Sequence, residues 1–198
     1  MGKFSLRHLR YDREENFREN TAFTKSEGFF QSPVFSGDGF IEHQSALAGL
    51  HCAARTADYC GCGWIAVWNL FRSEGVALAI PELIEKFEHG MFVRGVFGTN
   101  PFFVRRFLKK AGFPVSLFLR KKKFLKASPE KGVLFYMRPD FSAHYVAFTA
   151  EGFSEDGERL YRFYNYRDPS PYVRTMAEFL AGEPHRLMLF LGVKKEEQ

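Results

Sequence analysis

No stretch of this chain is both long and free of charge. Its apolar runs are broken by charged residues within a few positions, so none supplies the roughly 20 residues that a membrane-spanning helix needs. The N-terminus, Met1-Gly2-Lys3-Phe4-Ser5-Leu6-Arg7, has no apolar core of the kind a secretory signal carries, and the expected location is the cytoplasm. Cysteine is scarce too, with three residues at positions 52, 60 and 62. The set is odd and clustered, and Cys60 and Cys62 sit too close for an easy mutual disulfide. That pattern speaks against a secreted disulfide scaffold and for a reactive thiol. His51 with the three cysteines makes four possible metal ligands, but the paired Cys-x-x-Cys knuckles of a structural zinc site are missing, so no metal is expected. Gly61, Gly63 and Gly75 lack the spacing of a phosphate-binding loop. No cofactor is expected.

What is present suits a packed globular domain. The 198 residues are 45% hydrophobic and include 24 phenylalanines, ample for one core. A net charge of +5 and a pI near 9.1 bear on solubility and on encounters with anions, and say little about chemistry. Two basic runs, Arg120-Lys121-Lys122-Lys123 with Lys126 and Arg105-Arg106 with Lys109-Lys110, read as solvated surface that discourages edge-to-edge strand pairing; nucleic acid is not the expected partner. His8, His43, His51, His89 and His185 stand in polar or terminal settings and read as solvated.

Residues 1–50 show no clean period and read as an extension that could wrap the main domain through its phenylalanines or take part in an oligomer contact; residues 51–198 form the domain. Trp64, Ile65, Val67, Trp68 and Phe71 are apolar nearly all round, the pattern of a helix buried on most sides, with Gly75 at the C-terminal cap. Ile80–Phe87 has proline and acid in its first turn and Gly90 beyond its end. Asn100 caps and Pro101 starts a third helix that Gly112 stops. The period then changes. Strands are predicted around Val115–Leu119, Gly132–Arg138, His144–Thr149 and Leu160–Tyr166, then a short helix capped by Thr175 with Glu178, then a last strand over Arg186–Val193. A helical half followed by antiparallel strands, with one helix buried against the sheet, is an α+β plan.

The buried helix begins with Cys60-Gly61-Cys62-Gly63-Trp64. Backbone N–H groups at a helix start have no intrahelical acceptor and carry the positive end of the macrodipole, which biases a thiol there toward the nucleophilic thiolate. Acyl transfer needs such a thiol, an imidazole to take and return its proton, and a third group to fix the ring's tautomer. Alone, a cysteine of this kind is more often a small hydrophobe, and His144 or Asn165 alone could be a strand histidine or a turn-bonding amide.

Together, Cys62 opening a buried helix, His144 opening a later strand and Asn165 ending the next resemble the papain-like cysteine peptidases in the order Cys, His, Asn. Cys62-Gly63-Trp64-Ile65-Ala66 resembles the Cys-Gly-x-x-Ala start of the C39-like peptidases, compact bacterial relatives in which a cysteine helix packs on an antiparallel sheet. The resemblance covers about residues 56 to 193. It implies a peptide or protein substrate, cleavage through an acyl-enzyme, and catalytic Cys62, His144 and Asn165. An acyltransferase or a non-catalytic peptide-binding module would keep the same residues. The 24 phenylalanines and the basic runs permit a cleft for apolar or acidic segments. Cys60 is the alternative nucleophile, although the Gly-Trp-Ile-Ala run follows Cys62. Asp168, in Asp168-Pro169, is the alternative orienting residue. A hairpin turn between Ser154 and Glu155 would set Asn165 opposite His144, whereas a two-residue turn at Asp156-Gly157 leaves it on the same face but about four residues, or ~13 Å, out of register. One part is missing. Papain-like enzymes commonly carry an oxyanion-binding glutamine six residues before the nucleophile. Thr56 holds that position here, and the nearest preceding glutamine is Gln44.

Overall fold

The computed structural model describes residues 10–166, 171–182 and 187–193. Helix α1 (Arg13–Thr24) comes first, capped by Asp12, whose carboxylate accepts from the Glu14 and Glu15 N–H groups. Its buried residues are Asn16, Asn20 and Thr24, a polar stripe at helical spacing. The two asparagines dock the helix by satisfying main-chain groups of a small hairpin, β1 (His51–Cys52) and β2 (Arg55–Thr56), while the Thr24 hydroxyl donates within its own helix. Asn20 donates to His51 O (2.8 Å) and accepts from His51 N (2.7 Å), while Asn16 donates to Ala53 O (2.9 Å). Residues 25–50 continue as turns and single-turn 3-10 segments.

A short helical turn, α2 (Ala57–Cys60), leads through Gly61 into α3 (Cys62–Ser73), which is buried along ten consecutive residues from Cys62 to Phe71. Gly75, at φ +70°, closes it, with Val76 N–H reaching back to Phe71 O. Inside this apolar helix, fully buried Asn69 takes Ile41 N–H on its oxygen (2.9 Å) and donates to Ile41 O (2.8 Å), pinning the preceding segment to the helix. Helices α4 (Ile80–Glu88) and α5 (Pro101–Lys110) start at the expected prolines, and Asn100 Oδ1 accepts from Phe102 N–H. The basic tract after strand β3 (Val115–Phe118) is a helix, α6 (Lys121–Ala127), anchored by buried Phe124. Strands β4 (Lys131–Met137), β5 (Ala143–Phe153), β6 (Arg159–Tyr164) and β7 (Tyr172–Thr175) follow, then α7 (Met176–Gly182), with the Thr175–Glu178 capping box formed as its sequence predicts, and β8 (Leu187–Val193).

The six-stranded sheet is antiparallel throughout, in the order β3-β8-β4-β5-β6-β7. The fold is mixed helix and antiparallel sheet. One sheet face packs on α3, α4 and α5 through Val133, Phe135, Tyr145, Ala147 and Leu189. The other packs on α6 and α7 through Leu134, Tyr136, Val146, Phe148 and Phe163. Coverage on both faces explains why Val133-Leu134-Phe135-Tyr136 is apolar without alternation. Phe29, Val34, Ile41, Leu47 and Leu50, from the segment before the hairpin, join the same core as α3. Among the described residues no helix is long and apolar enough to cross a membrane, and no cluster of metal-ligating side chains occurs.

Candidate active site

Cys62 and Cys60 face different surroundings. The Cys60 thiol donates to Cys52 O (3.6 Å) and Thr56 O (3.5 Å), on the side of the small hairpin. Cys62 lies against β5, where the Tyr145 backbone N–H points at its sulfur. Burial nevertheless dominates the Cys62 thiol and pushes it up to about 12, although the N–H groups of Tyr145, Gly63 and Cys62 itself pull the other way; nearby Cys60 adds to the rise. The helix start acts in the expected direction, but at 6% exposure desolvation is larger, and the resting side chain is a neutral thiol.

Gly63 is required by proximity. A Cβ there would stand 2.6 Å from Thr99 Oγ1 and 2.7 Å from Thr99 Cβ, and the Tyr145 hydroxyl donates to the Thr99 carbonyl (2.7 Å). The first turn of α3, the chain before α5 and strand β5 therefore meet with no room for a side chain.

His144 is the residue before Tyr145 and pairs with Tyr136 on β4. Strand alternation turns its ring toward the Tyr136 face, at 5.9 Å between centroids, while the Cys62 sulfur sits against the main chain of the next residue. His144 Nε2 lies 2.8 Å from the main-chain oxygen of Asn165. A carbonyl only accepts, so Nε2 carries the proton and, in the neutral ring, Nδ1 keeps the lone pair.

Asn165 thus meets His144 through its backbone, not its amide side chain. The hairpin register explains why. Ala147 opposes Tyr164 and Phe148 opposes Phe163, with a bulge between Ala150 and Gly152. This register falls between the two that the turn residues suggest. Continued by one pair it aligns Asn165 with Val146, two residues from His144 and on the same face. The turn is also wider than Asp156-Gly157 alone, since Ser154 N–H reaches Glu158 O (2.8 Å). Asn165 leaves the strand with φ +55°, which swings its carbonyl toward the imidazole.

Sequence reasoning named Gln44 only as the glutamine nearest before Cys62 and passed over Glu42; both hold Asn165. Its N–H donates to Glu42 Oε2 (2.9 Å), its Oδ1 accepts Gln44 N–H (3.0 Å) and its Nδ2 donates to Gln44 Oε1 (3.0 Å). Glu42 Oε1 accepts from Arg162 Nη2 (2.9 Å), and the Arg162 guanidinium also grips Asp38 and lies over the rings of Phe40 and Tyr164. Burial alone would raise the Asp38 carboxyl, but the hydrogen bonds from Arg162 and Ser36 hold it below the usual range. The only sequence signal for this cluster was an acid and a glutamine inside a Phe-rich segment without period, which no pattern connects to residue 165. Of the remaining histidines, His51 pairs with Glu19 (3.2 Å) and His89 with Arg13 (3.1 and 3.2 Å), so neither is merely solvated. Asp168, His8 and His185 lie outside the described residues.

No family model and no curated protein matches the chain. Among solved structures, the chain is similar to the peptidase domain of Streptococcus ComA, a bi-functional ABC transporter involved in a quorum-sensing pathway, with 16% identity, a TM-score of 0.46, and coverage of 67% of this chain and 91% of that one. A likeness this loose assigns no activity.

Proposed function

We propose that the protein is a cysteine peptidase of papain-like, C39-like type that cleaves peptide amide bonds through Cys62, His144 and Asn165. The observation that carries this reading is the bond between His144 Nε2 and the Asn165 carbonyl, because it fixes the tautomer that leaves Nδ1 able to accept a proton. As Cys62 Sγ attacks the carbonyl carbon, its proton passes to His144 Nδ1, since the resting thiol is neutral. The backbone N–H of Cys62, at the helix start, is the donor assigned to the developing oxyanion in this reading. The imidazolium returns the proton to the leaving amine, the C–N bond breaks, and an acyl-enzyme remains. Water, deprotonated by His144, then attacks the thioester and regenerates the thiol. The Asn165 carbonyl supports the imidazolium throughout by keeping its Nε2–H in place.

A second reading is favoured by the burial of Cys62 and by Thr56 standing where an oxyanion glutamine would be: a peptide-binding module on the same scaffold with no turnover. Iodoacetamide labelling at neutral pH, read at Cys62 by peptide mapping, separates the two. The peptidase reading expects selective labelling of Cys62 that falls about 10²- to 10⁴-fold in His144→Ala. Labelling of Cys62 no faster than an ordinary thiol, and indifferent to His144, would sink it.

A further inference from the structure

The carbonyl that orients His144 depends on a backbone conformation that L-residues avoid. At φ +55°, Asn165 sits in the left-handed region, which asparagine tolerates better than most residues but which persists only where the surroundings over-determine it. Those surroundings come from the segment before the hairpin. Glu42 takes the Asn165 N–H, and Gln44 takes both ends of the Asn165 amide, one with its main chain and one with its side chain. All four polar groups of Asn165 are then engaged, the fourth being the carbonyl on His144.

Gln44 also reaches the other half of the site. Its Nε2 donates to Ala57 O (3.0 Å) and Asp58 O (2.9 Å), the first carbonyls of the α2 turn that runs through Gly61 into Cys62. One side chain therefore joins the residue that orients the imidazole to the turn that delivers the thiol. Merely stapling the segment to the domain does not require this. Ile41, Leu47 and Leu50 are already buried in the core, and Asn69 already clasps Ile41 by two hydrogen bonds. Gln44 itself is only half-buried.

We propose that Glu42 and Gln44 are positioning residues of the Cys62–His144 site: they hold Asn165 so that its carbonyl faces His144, and Gln44 ties that carbonyl to the turn that presents Cys62. The assignment rests on the proposed Cys62–His144 reading for its effect on reactivity, but its geometric part stands apart and is measured separately. With its Nε2 spent on two carbonyls and its Oε1 on Asn165, Gln44 acts through other residues and not on the substrate.

The test uses the full chain and iodoacetamide as the probe. Cys62 alkylation is followed against pH in the wild type, His144→Ala, Gln44→Ala, Gln44→Glu and Glu42→Gln, with near-UV circular dichroism reporting folding and the His144 ring-proton NMR resonance reporting its tautomer. Gln44→Ala is expected to slow labelling roughly tenfold to a hundredfold and to move the rising limb of the profile toward that of His144→Ala, with the fold retained. Gln44→Glu keeps an acceptor for Asn165 but sets a carboxylate oxygen against Ala57 O and Asp58 O, so it should fall between the two. The Nε2–H resonance should shift or broaden in Gln44→Ala and Glu42→Gln. Should Gln44→Ala fail to fold, Gln44→Met, which keeps the volume and loses the amide, takes its place with the same expectation. A folded Gln44 variant with the wild-type profile and an unchanged Nε2–H signal overturns the proposal, as does a loss of rate that tracks the folded fraction with no shift of the profile. Wild-type labelling indifferent to His144→Ala overturns the peptidase reading instead, and the Nε2–H signal still decides the hold on Asn165.

Discussion

Cys62 shows two opposed effects at one sulfur. Main-chain N–H groups favour the anion, while removal from water favours the neutral thiol more strongly. Because the folded-state value of about 12 lies above the ordinary 9.0, the stabilising contribution is fully present below pH 9 and is lost as pH climbs toward 12. Full passage through that window would cost on the order of 4 kcal/mol. Denaturant unfolding of the wild type and Cys62→Ala should therefore diverge with alkaline pH, the variant losing stability less steeply; parallel curves would show that the thiol does not carry this penalty. The same residue marks what could be read from sequence. Cys62, His144 and Asn165 were legible as residue types in a known order. The contact of Asn165 with His144 through its carbonyl was not, because every residue has a carbonyl and only the +55° φ aims this one.

At the scale of elements, α3 was the most legible and α1 the least. Ten consecutive buried residues from Cys62 to Phe71 announce themselves by hydrophobicity, and Gly75, Pro81, Asn100 and Thr175 punctuate the chain as their chemistry requires. Helix α1 buries Asn16, Asn20 and Thr24, so a reading that follows apolar periodicity passes over it. The hairpin of β5 and β6 shows another limit, since one bulge after Ala150 moves the register and no turn motif reveals the bulge. Packing at the start of α3 is a testable consequence. In Gly63→Ala the new methyl would meet Thr99 at well under van der Waals distance, and Thr99 cannot retreat while Tyr145 holds its carbonyl. A loss of about 1–3 kcal/mol is expected from urea unfolding. An unchanged midpoint would mean that the contact between α3 and residue 99 is looser than drawn.

Considered whole, the molecule is a sheet covered on both faces, with the segment before the hairpin built into one of its cores. Phe29, Val34, Ile41, Leu47 and Leu50 are at most 6% exposed. At about 1.5–3 kcal/mol for each buried side chain, their removal takes away as much as the roughly 5–15 kcal/mol by which whole domains are stable. A chain shortened to begin at His51 should accordingly show no cooperative thermal transition by circular dichroism, whereas the full chain should show one. A sharp transition in the shorter chain would assign residues 10–50 to decoration.

By itself, the sequence determined the apolar helices α3 to α5, five strands of the large sheet, the caps at Asn100 and Thr175, and which thiol, imidazole and amide stand in a peptidase-like order; α1, α6, the β1-β2 hairpin and β7 it did not. Those properties follow from side-chain identity and short spacings, which act within a turn or two of the chain. Tertiary structure alone decided that Glu42 and Gln44 meet Asn165, more than a hundred positions away, that the Asn165 carbonyl and not its amide meets His144, and that burial favours the neutral Cys62 thiol. Each of these depends on register, backbone handedness or removal from water, quantities that exist only once distant parts of the chain have packed together.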